Sequence, residues 1–173
     1  DEDMKDLAKR FFMLLHMFLE RRYEHVEVVF IRHTHRAQEV DEESFFYGRE
    51  TGGTIVSSAF KEMQRVVDER YPVDDWNIYV AQASDGDDAP GDVQRCIQML
   101  DEQILPMVQY MAYVEVGSES RGPIGFTTNQ DSSLWSGYGE VAGRHDNFAM
   151  RRIAHPRDIF PVFRGLFSRE EAA

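Results

Sequence analysis

Apolar residues along this chain switch repeatedly between two spacings, and that alternation restricts the fold more than any single motif does. Met4, Leu7, Ala8, Phe11, Leu14, Leu15, Phe18 and Leu19 recur at threes and fours, while Lys5, Lys9, Arg10, Glu20 and Arg21 fall largely elsewhere on the wheel. Residues 4–22 therefore read as an amphipathic helix. Residues 26–31 (VEVVFI) are a β-branched and aromatic run of strand length, and residues 37–40 return as a short strand after the His33-Thr34-His35 turn region. Val56, Ala59, Phe60, Met63, Val66 and Val67 give a second helix ending before Tyr71-Pro72, and residues 76–83 give the next strand. Val93, Cys96, Ile97, Leu100 and Ile104 mark a third helix, followed by a strand at 111–116 and a loop at 117–131 rich in glycine and proline. Beyond it come a helix at 132–143, a strand at 148–153 and a closing helix carrying Ile159, Phe163, Leu166 and Phe167. With Asp158 as that helix's N-cap, Pro161 falls in the first turn, where a missing N–H costs little. Strands alternating with helices predict an α/β fold: a mostly parallel sheet with helices on both faces.

Composition narrows the partners. The 173 residues fit one domain, 1–173, and 42% hydrophobic with 12% aromatic residues supply one sizeable core. With 19 basic and 31 acidic residues the formal charge is −12, which repels a phosphate backbone or an anionic membrane. The expectation is no nucleic acid and no membrane partner. A lone cysteine, Cys96, leaves no internal disulfide and no CxxC site, and suits a reducing, cytoplasmic setting. Four of the first five residues are charged, and no run of about 18 apolar residues appears that would suggest a signal peptide or a span.

Chemistry concentrates at two turns. The stretch IYVAQASDGDD, residues 78–88, runs from a strand directly into Asp85, Asp87 and Asp88. In open α/β sheets ligands sit outside the carboxyl ends of the strands, which is where these carboxylates fall. The second turn, ETGGTIVSS at 50–58, opens the second helix; its two glycines allow unusual backbone or close approach, and Thr54 places a hydroxyl at the helix start. N-capping alone accounts for Thr54. A hard cation such as Mg²⁺, however, takes one or two carboxylates and completes its shell with hydroxyls, water or a partner's oxygen. Thr54 and Asp85 are the candidate ligands, with Gly53, Ser84, Gly86 and Asp87 as the surrounding binding residues. The alternative is an enzyme in which Asp85 and Asp87 hold Mg²⁺ for phosphoryl transfer or hydrolysis. It also needs a nucleophile or a phosphate-positioning base, and no residue stands out for either role.

Other patterns have plainer readings. His33 and His35 share one strand face but lack further ligands nearby, so a solvated hairpin is expected. GYGEVA at 137–142 has the letters of a dinucleotide fingerprint but follows no strand. Cys96 lies on the apolar face of its helix and reads as a buried structural thiol. Asp41-Glu42-Glu43 reads as a solvated turn, and neither GxSxG nor GxxxxGK[ST] occurs.

TGGTIVSSA at 51–59 followed by AQASDGD at 81–87, with VEVVFIRH at 26–33 before and DNFAM at 146–150 after, resembles the YeaH/YhbH family over nearly the whole chain. The resemblance implies a von Willebrand factor A-like domain, and with no nucleophile or phosphate-positioning base in view a protein-interaction module is expected rather than an enzyme. It also implies service in bacterial stress and sporulation programmes, with a PrkA-type serine kinase and a SpoVR-like protein as candidate partners. In A-type domains a metal-ion-dependent adhesion site joins an Asp-x-Ser-x-Ser turn to a later threonine and a later aspartate; by resemblance these two are Thr54 and Asp85. This sequence departs from the pattern in containing no Asp-x-Ser-x-Ser and in opening on the helix that follows the first strand. The implied fold lacks its first central strand, between the strands at 26–31 and 76–83, as in a fragment of a longer protein. Those two edges then either take a strand from outside the chain, pair with each other, or pair with a second copy.

Overall fold

A computed structural model describes residues 2–33, 36–48, 55–117 and 131–167. Helix α1 (Glu2–Arg22) leads into a hairpin of β1 (Phe30–His33) and β2 (Ala37–Val40), then α2 (Glu42–Tyr47) and α3 (Val56–Arg70). Strand β3 (Tyr79–Ser84) is followed by α4 (Asp92–Met99), β4 (Tyr110–Val116), α5 (Ser133–Ala142), β5 (Phe148–Ile153) and α6 (Ile159–Phe167). β3, β4 and β5 form a parallel sheet with β4 in the middle, and β1 pairs with β2 antiparallel in a second, separate sheet.

Strand β4 shows why the sequence folds this way. A parallel strand covered on both faces needs apolar side chains on both, so MAYVEV reads as a continuous run rather than an alternation. Its residues alternate between two cores. Met111 and Tyr113 pack with Val56, Phe60, Cys96, Leu100 and Tyr138 on the side of α3, α4 and α5. Ala112, Val114 and Val116 pack with Leu7, Phe11, Leu15, Ile153 and Phe163 on the side of α1 and α6. Each fully buried large side chain contributes roughly 1.5–3 kcal/mol. Helices thus cover both faces, as the alternation predicts.

Several boundaries differ from expectation for local reasons. β1 begins at Phe30 rather than residue 26, because Phe30 already faces Val40, the last residue of its short partner. β3 begins at Tyr79 rather than residue 76, because the amides of Asp75 and Trp76 donate to the Pro72 carbonyl and hold that segment in a turn. The third helix is regular only to Met99 and continues over Leu100–Ile104 as a π turn. Asp41-Glu42-Glu43 is not a free turn: the Asp41 carboxylate accepts from Ser44 N at 2.7 Å and starts α2. Asp158 does not cap α6. It closes a 3₁₀ turn, accepting from the amides of Ala154 and His155, and α6 starts at Ile159 with Pro161 still in its first turn.

No ladder joins β1 to β3 among the described residues, so these two edges do not close on each other. No described helix is long and apolar enough to cross a membrane.

Candidate functional site

At the carboxyl end of β3 the chain makes two nested turns. The Ser84 hydroxyl accepts from Gly86 N at 3.0 Å, and the Asp85 carboxylate accepts from Asp87 N at 3.0 Å. Gly86 sits at φ +90°, and a Cβ there would meet Cβ and Oγ of Ser132 at 2.6 Å. Only glycine satisfies both the backbone and the close approach. The turn leaves Asp85 and Asp87 exposed with Gly86 buried between them.

Beneath the turn lies a polar network that sequence reasoning did not nominate. Glu115, buried at the end of β4, accepts from the Tyr113 hydroxyl at 2.8 Å and the Ser132 hydroxyl at 2.7 Å. Ser132 in turn accepts from Trp135 N at 3.0 Å and caps α5. Burial, with the Glu115 charge beside it, pushes the Tyr113 phenol far up, so it stays a donor. Another buried strand residue, Gln82, accepts from the Tyr138 hydroxyl at 3.1 Å.

The remaining carboxylates of the loop turn inward. Asp88 accepts from Val56 N at 3.1 Å and Ala89 N at 2.8 Å. Asp92 accepts from Ser57 N at 2.9 Å and the Ser57 hydroxyl at 2.5 Å. Together they cap the start of α3, a helix with no side-chain cap of its own. The Cys96 thiol lies 3.6 Å from Asp88 and 3.5 Å from Asp92. Burial first, and the two carboxylates second, push that thiol far up and keep it protonated. Burial also raises Asp88, helped by the neighbouring Asp92. For Asp92 burial pushes upward as well, but the Ser57 hydroxyl and amide outweigh it and hold the carboxyl below its ordinary value. Of the two, Asp88 is therefore the one that takes up a proton first as pH falls.

Oxygens of Asp88 and Asp92 and the Cys96 sulfur lie within 4.8 Å of one another, spacing compatible with a metal ion. A cation there would compete with the bonds that anchor α3. Asp85, the predicted ligand, does not belong to this group. Thr54 and Gly53 lie outside the described residues. The Val56–Asp88 bond nevertheless brings the start of α3, just after that segment, to the β3 turn. His33, half-buried at the end of β1, has its imidazole pushed down by burial and drawn back up by the Asp85 charge. His35, its predicted companion, lies outside the described residues. GYGEVA lies within α5, where a Cβ on Gly137 would come within 2.7 Å of Ile97 Cδ1 and 3.0 Å of Val93 Cγ1, so that those side chains would have to shift.

The signal for the missed residues was faint but present. Gln82 and Glu115 are polar letters inside apolar strands, and Asp92 stands four residues before Cys96 on the same helix face.

The family described as a protein of unknown function (DUF444) matches residues 1–170. The chain belongs to the DUF444 family. YeaH/YhbH is another name for this family, also called UPF0229. A UPF0229 protein of Mesorhizobium japonicum is 57% identical over 98% of the chain and 39% of its own length. One from Chelativorans sp. is 56% identical over 99% of the chain and 39% of its length, and one from Vibrio vulnificus 52% over 99% and 38%. This DUF444 chain thus spans about two-fifths of the curated relatives it matches. No solved structure matches it.

Proposed function

We propose that this part of the DUF444 protein is a von Willebrand A-like protein-binding module, working in a bacterial stress-response or sporulation programme. Its partner-facing site centres on Asp85, with Thr54 as second ligand and Gly53, Ser84, Gly86 and Asp87 around them. The observation that carries this reading is the division of labour at the end of β3: Asp88 and Asp92 are consumed in capping α3, whereas Asp85 is exposed and engaged by one backbone amide.

The donor set fits a hard cation in kind. Asp85, Asp87 and Ser84 offer oxygen only, and the nearby sulfur is protonated and buried. Mg²⁺ held there supplies positive charge for a partner's carboxylate, the remaining coordination coming from water and the partner. The chain's own residues fix the turn: Gly86 allows it, and Glu115 with Ser132 supports it from below. A hydrolytic reading gains nothing from Cys96, whose thiol is no nucleophile in this setting.

The test uses the full-length protein with a purified PrkA-type kinase and a SpoVR-like protein. Asp85→Ala is expected to weaken Mg²⁺-dependent capture of one of them about tenfold or more, about 1.4 kcal/mol, with melting unchanged. Capture that survives both the substitution and a chelator overturns the reading.

A further inference from the structure

We propose that the outer edge of β5 takes an acidic, extended segment of a partner protein as an added strand, with Arg151 as the residue that selects for acid. The proposal concerns a different strand from the Asp85 turn and does not rest on the adhesion-type reading.

Backbone parity defines the edge. The Asn147 carbonyl accepts from Met111 N at 2.8 Å and the Ile153 carbonyl from Gly117 N at 3.1 Å, so the odd-numbered residues of β5 turn their amides and carbonyls toward β4. Phe148, Met150 and Arg152 therefore turn theirs the other way. No described strand lies on that side, since β5 ends the order β3-β4-β5. A row of outward amides and carbonyls is a template for an added strand, a mode in which main-chain bonds give affinity and side chains give specificity.

The side chains here are basic. Successive strand residues point to opposite faces, so Arg151 and Arg152, both exposed, put one guanidinium on each face of the edge. They belong to a basic stretch in an acidic chain: residues 144–164 hold five arginines and two acids, whereas the whole chain carries −12. One of those two acids, Asp158, is occupied by the amides of Ala154 and His155.

The two arginines are not equivalent. Arg152 is committed, lying 3.9 Å over the Trp135 ring and pairing with Asp131 at 2.6 Å. Arg151 has no carboxylate partner among the described residues. Its Nε lies beside α6, 3.7 Å from where Gly165 would carry a Cβ, and its Nη1 donates to the Met150 carbonyl at 2.7 Å. That carbonyl is one of the outward row. Arg151 thus occupies an acceptor that an incoming strand needs, which guards the edge against indiscriminate pairing. A carboxylate on the incoming strand draws the guanidinium into a charge-assisted pair and frees the carbonyl in the same step. An uncharged strand must break the same bond with nothing to replace it.

The same charges disfavour a second copy. Two β5 edges paired antiparallel about a two-fold axis would set the arginines of one copy against those of the other, and like charges across a ladder are destabilising. An edge that repels itself fits a partner of opposite sign.

The experiment uses the full-length DUF444 protein and three extended peptides of about eight residues, alternating threonine with glutamate, glutamine or lysine. Binding is read by fluorescence anisotropy at low salt, and its place by hydrogen exchange across β5. The glutamate peptide is expected to bind at least about threefold tighter than the glutamine peptide and about tenfold or more tighter than the lysine one, with new protection of the Phe148, Met150 and Arg152 amides. Arg151→Gln is expected to bring the glutamate and glutamine peptides within about twofold of each other with melting unchanged, because the side chain is exposed. Four results overturn the proposal. They are equal affinity of the parent protein for the glutamate and glutamine peptides, glutamate-peptide binding that leaves the β5 amides unprotected, no binding of any peptide at millimolar concentration, and outward amides already as protected as those of β4 in the free protein. The last would mean that the rest of the chain or a second copy covers the edge. No readout involves Mg²⁺ or Asp85, so failure here is distinct from failure of the binding-site proposal.

Discussion

Asp85 and Asp87 on one side, and Asp88 and Asp92 on the other, lie within eight residues of one another yet do opposite work. The first two are exposed, and Asp85 is engaged by the backbone of its own turn. The second two reach 32 and 35 residues back in sequence to the amides that start α3. A carboxylate that satisfies helix-start donors builds the fold and has little capacity left for a ligand. One that satisfies only its own turn adds little to stability and stays available at the surface. Composition alone treats all four alike.

The sharpest way to break this comparison is Asp92→Ala. It removes the acceptor for the Ser57 amide and hydroxyl, both in a buried setting, and leaves those donors unpaired. Loss of charge-assisted bonds and of donor satisfaction predicts a destabilisation of about 2–4 kcal/mol, measured by urea unfolding of the full-length protein. A loss below about 1 kcal/mol would mean that α3 does not depend on this clasp.

Gly86→Ala comes next. Its φ of +90° disfavours any side chain, and the new Cβ would press on Ser132 at 2.6 Å, disturbing the cap of α5 and the Glu115 bond. About 1–3 kcal/mol of destabilisation is expected in the same measurement. An unchanged midpoint would show that the Asp85 turn is not held against the Glu115 network.

How far these differences were legible depends on the range of the interaction that creates them. β4 was readable because burial on two faces writes itself into consecutive letters, as in MAYVEV. α1 was readable from its stripe. The late start of β3 was not, because it depends on a Pro72 turn whose bonds compete with strand extension. α2 was missed because Asp41-Glu42-Glu43 looks solvated whether or not Asp41 caps a helix. At the end of β3 the nomination of Asp85 as a ligand stays an expectation, and the letters did not show that Asp88 bonds to the distant Val56 amide whereas Asp85 bonds within its own turn. Gly53 and Thr54 lie outside the described residues, so that half of the predicted constellation stays an expectation from motif resemblance.

The smallest expected effect is also the most discriminating, because it concerns the member of the pair that takes up a proton first. Burial and Asp92 raise the Asp88 carboxyl above its ordinary value in the folded protein. A raised folded pKa contributes stability that is fully present below the unfolded value, about 3.9, and is lost as pH climbs through the folded value. Above that folded value the protein thus bears the cost of ionising Asp88. Asp88→Asn keeps an oxygen for the Val56 and Ala89 amides and offers Asp92 a permanent donor in place of the titrating proton. The variant should match the parent near pH 4 and exceed it by a few tenths to about 1 kcal/mol near pH 7, read from urea midpoints across that range. Asp92, whose carboxyl is lowered, works in the other sense: its contribution is present above the unfolded value and fades as pH falls through the folded one. If Asp88→Asn instead weakened the protein by more than about 1 kcal/mol near pH 7, the ionised carboxylate would itself be required. The contrast between an inward, fold-building pair and an outward, ligand-facing pair would then fail, and the Asp88, Asp92 and Cys96 donors would become the place to look for a bound cation.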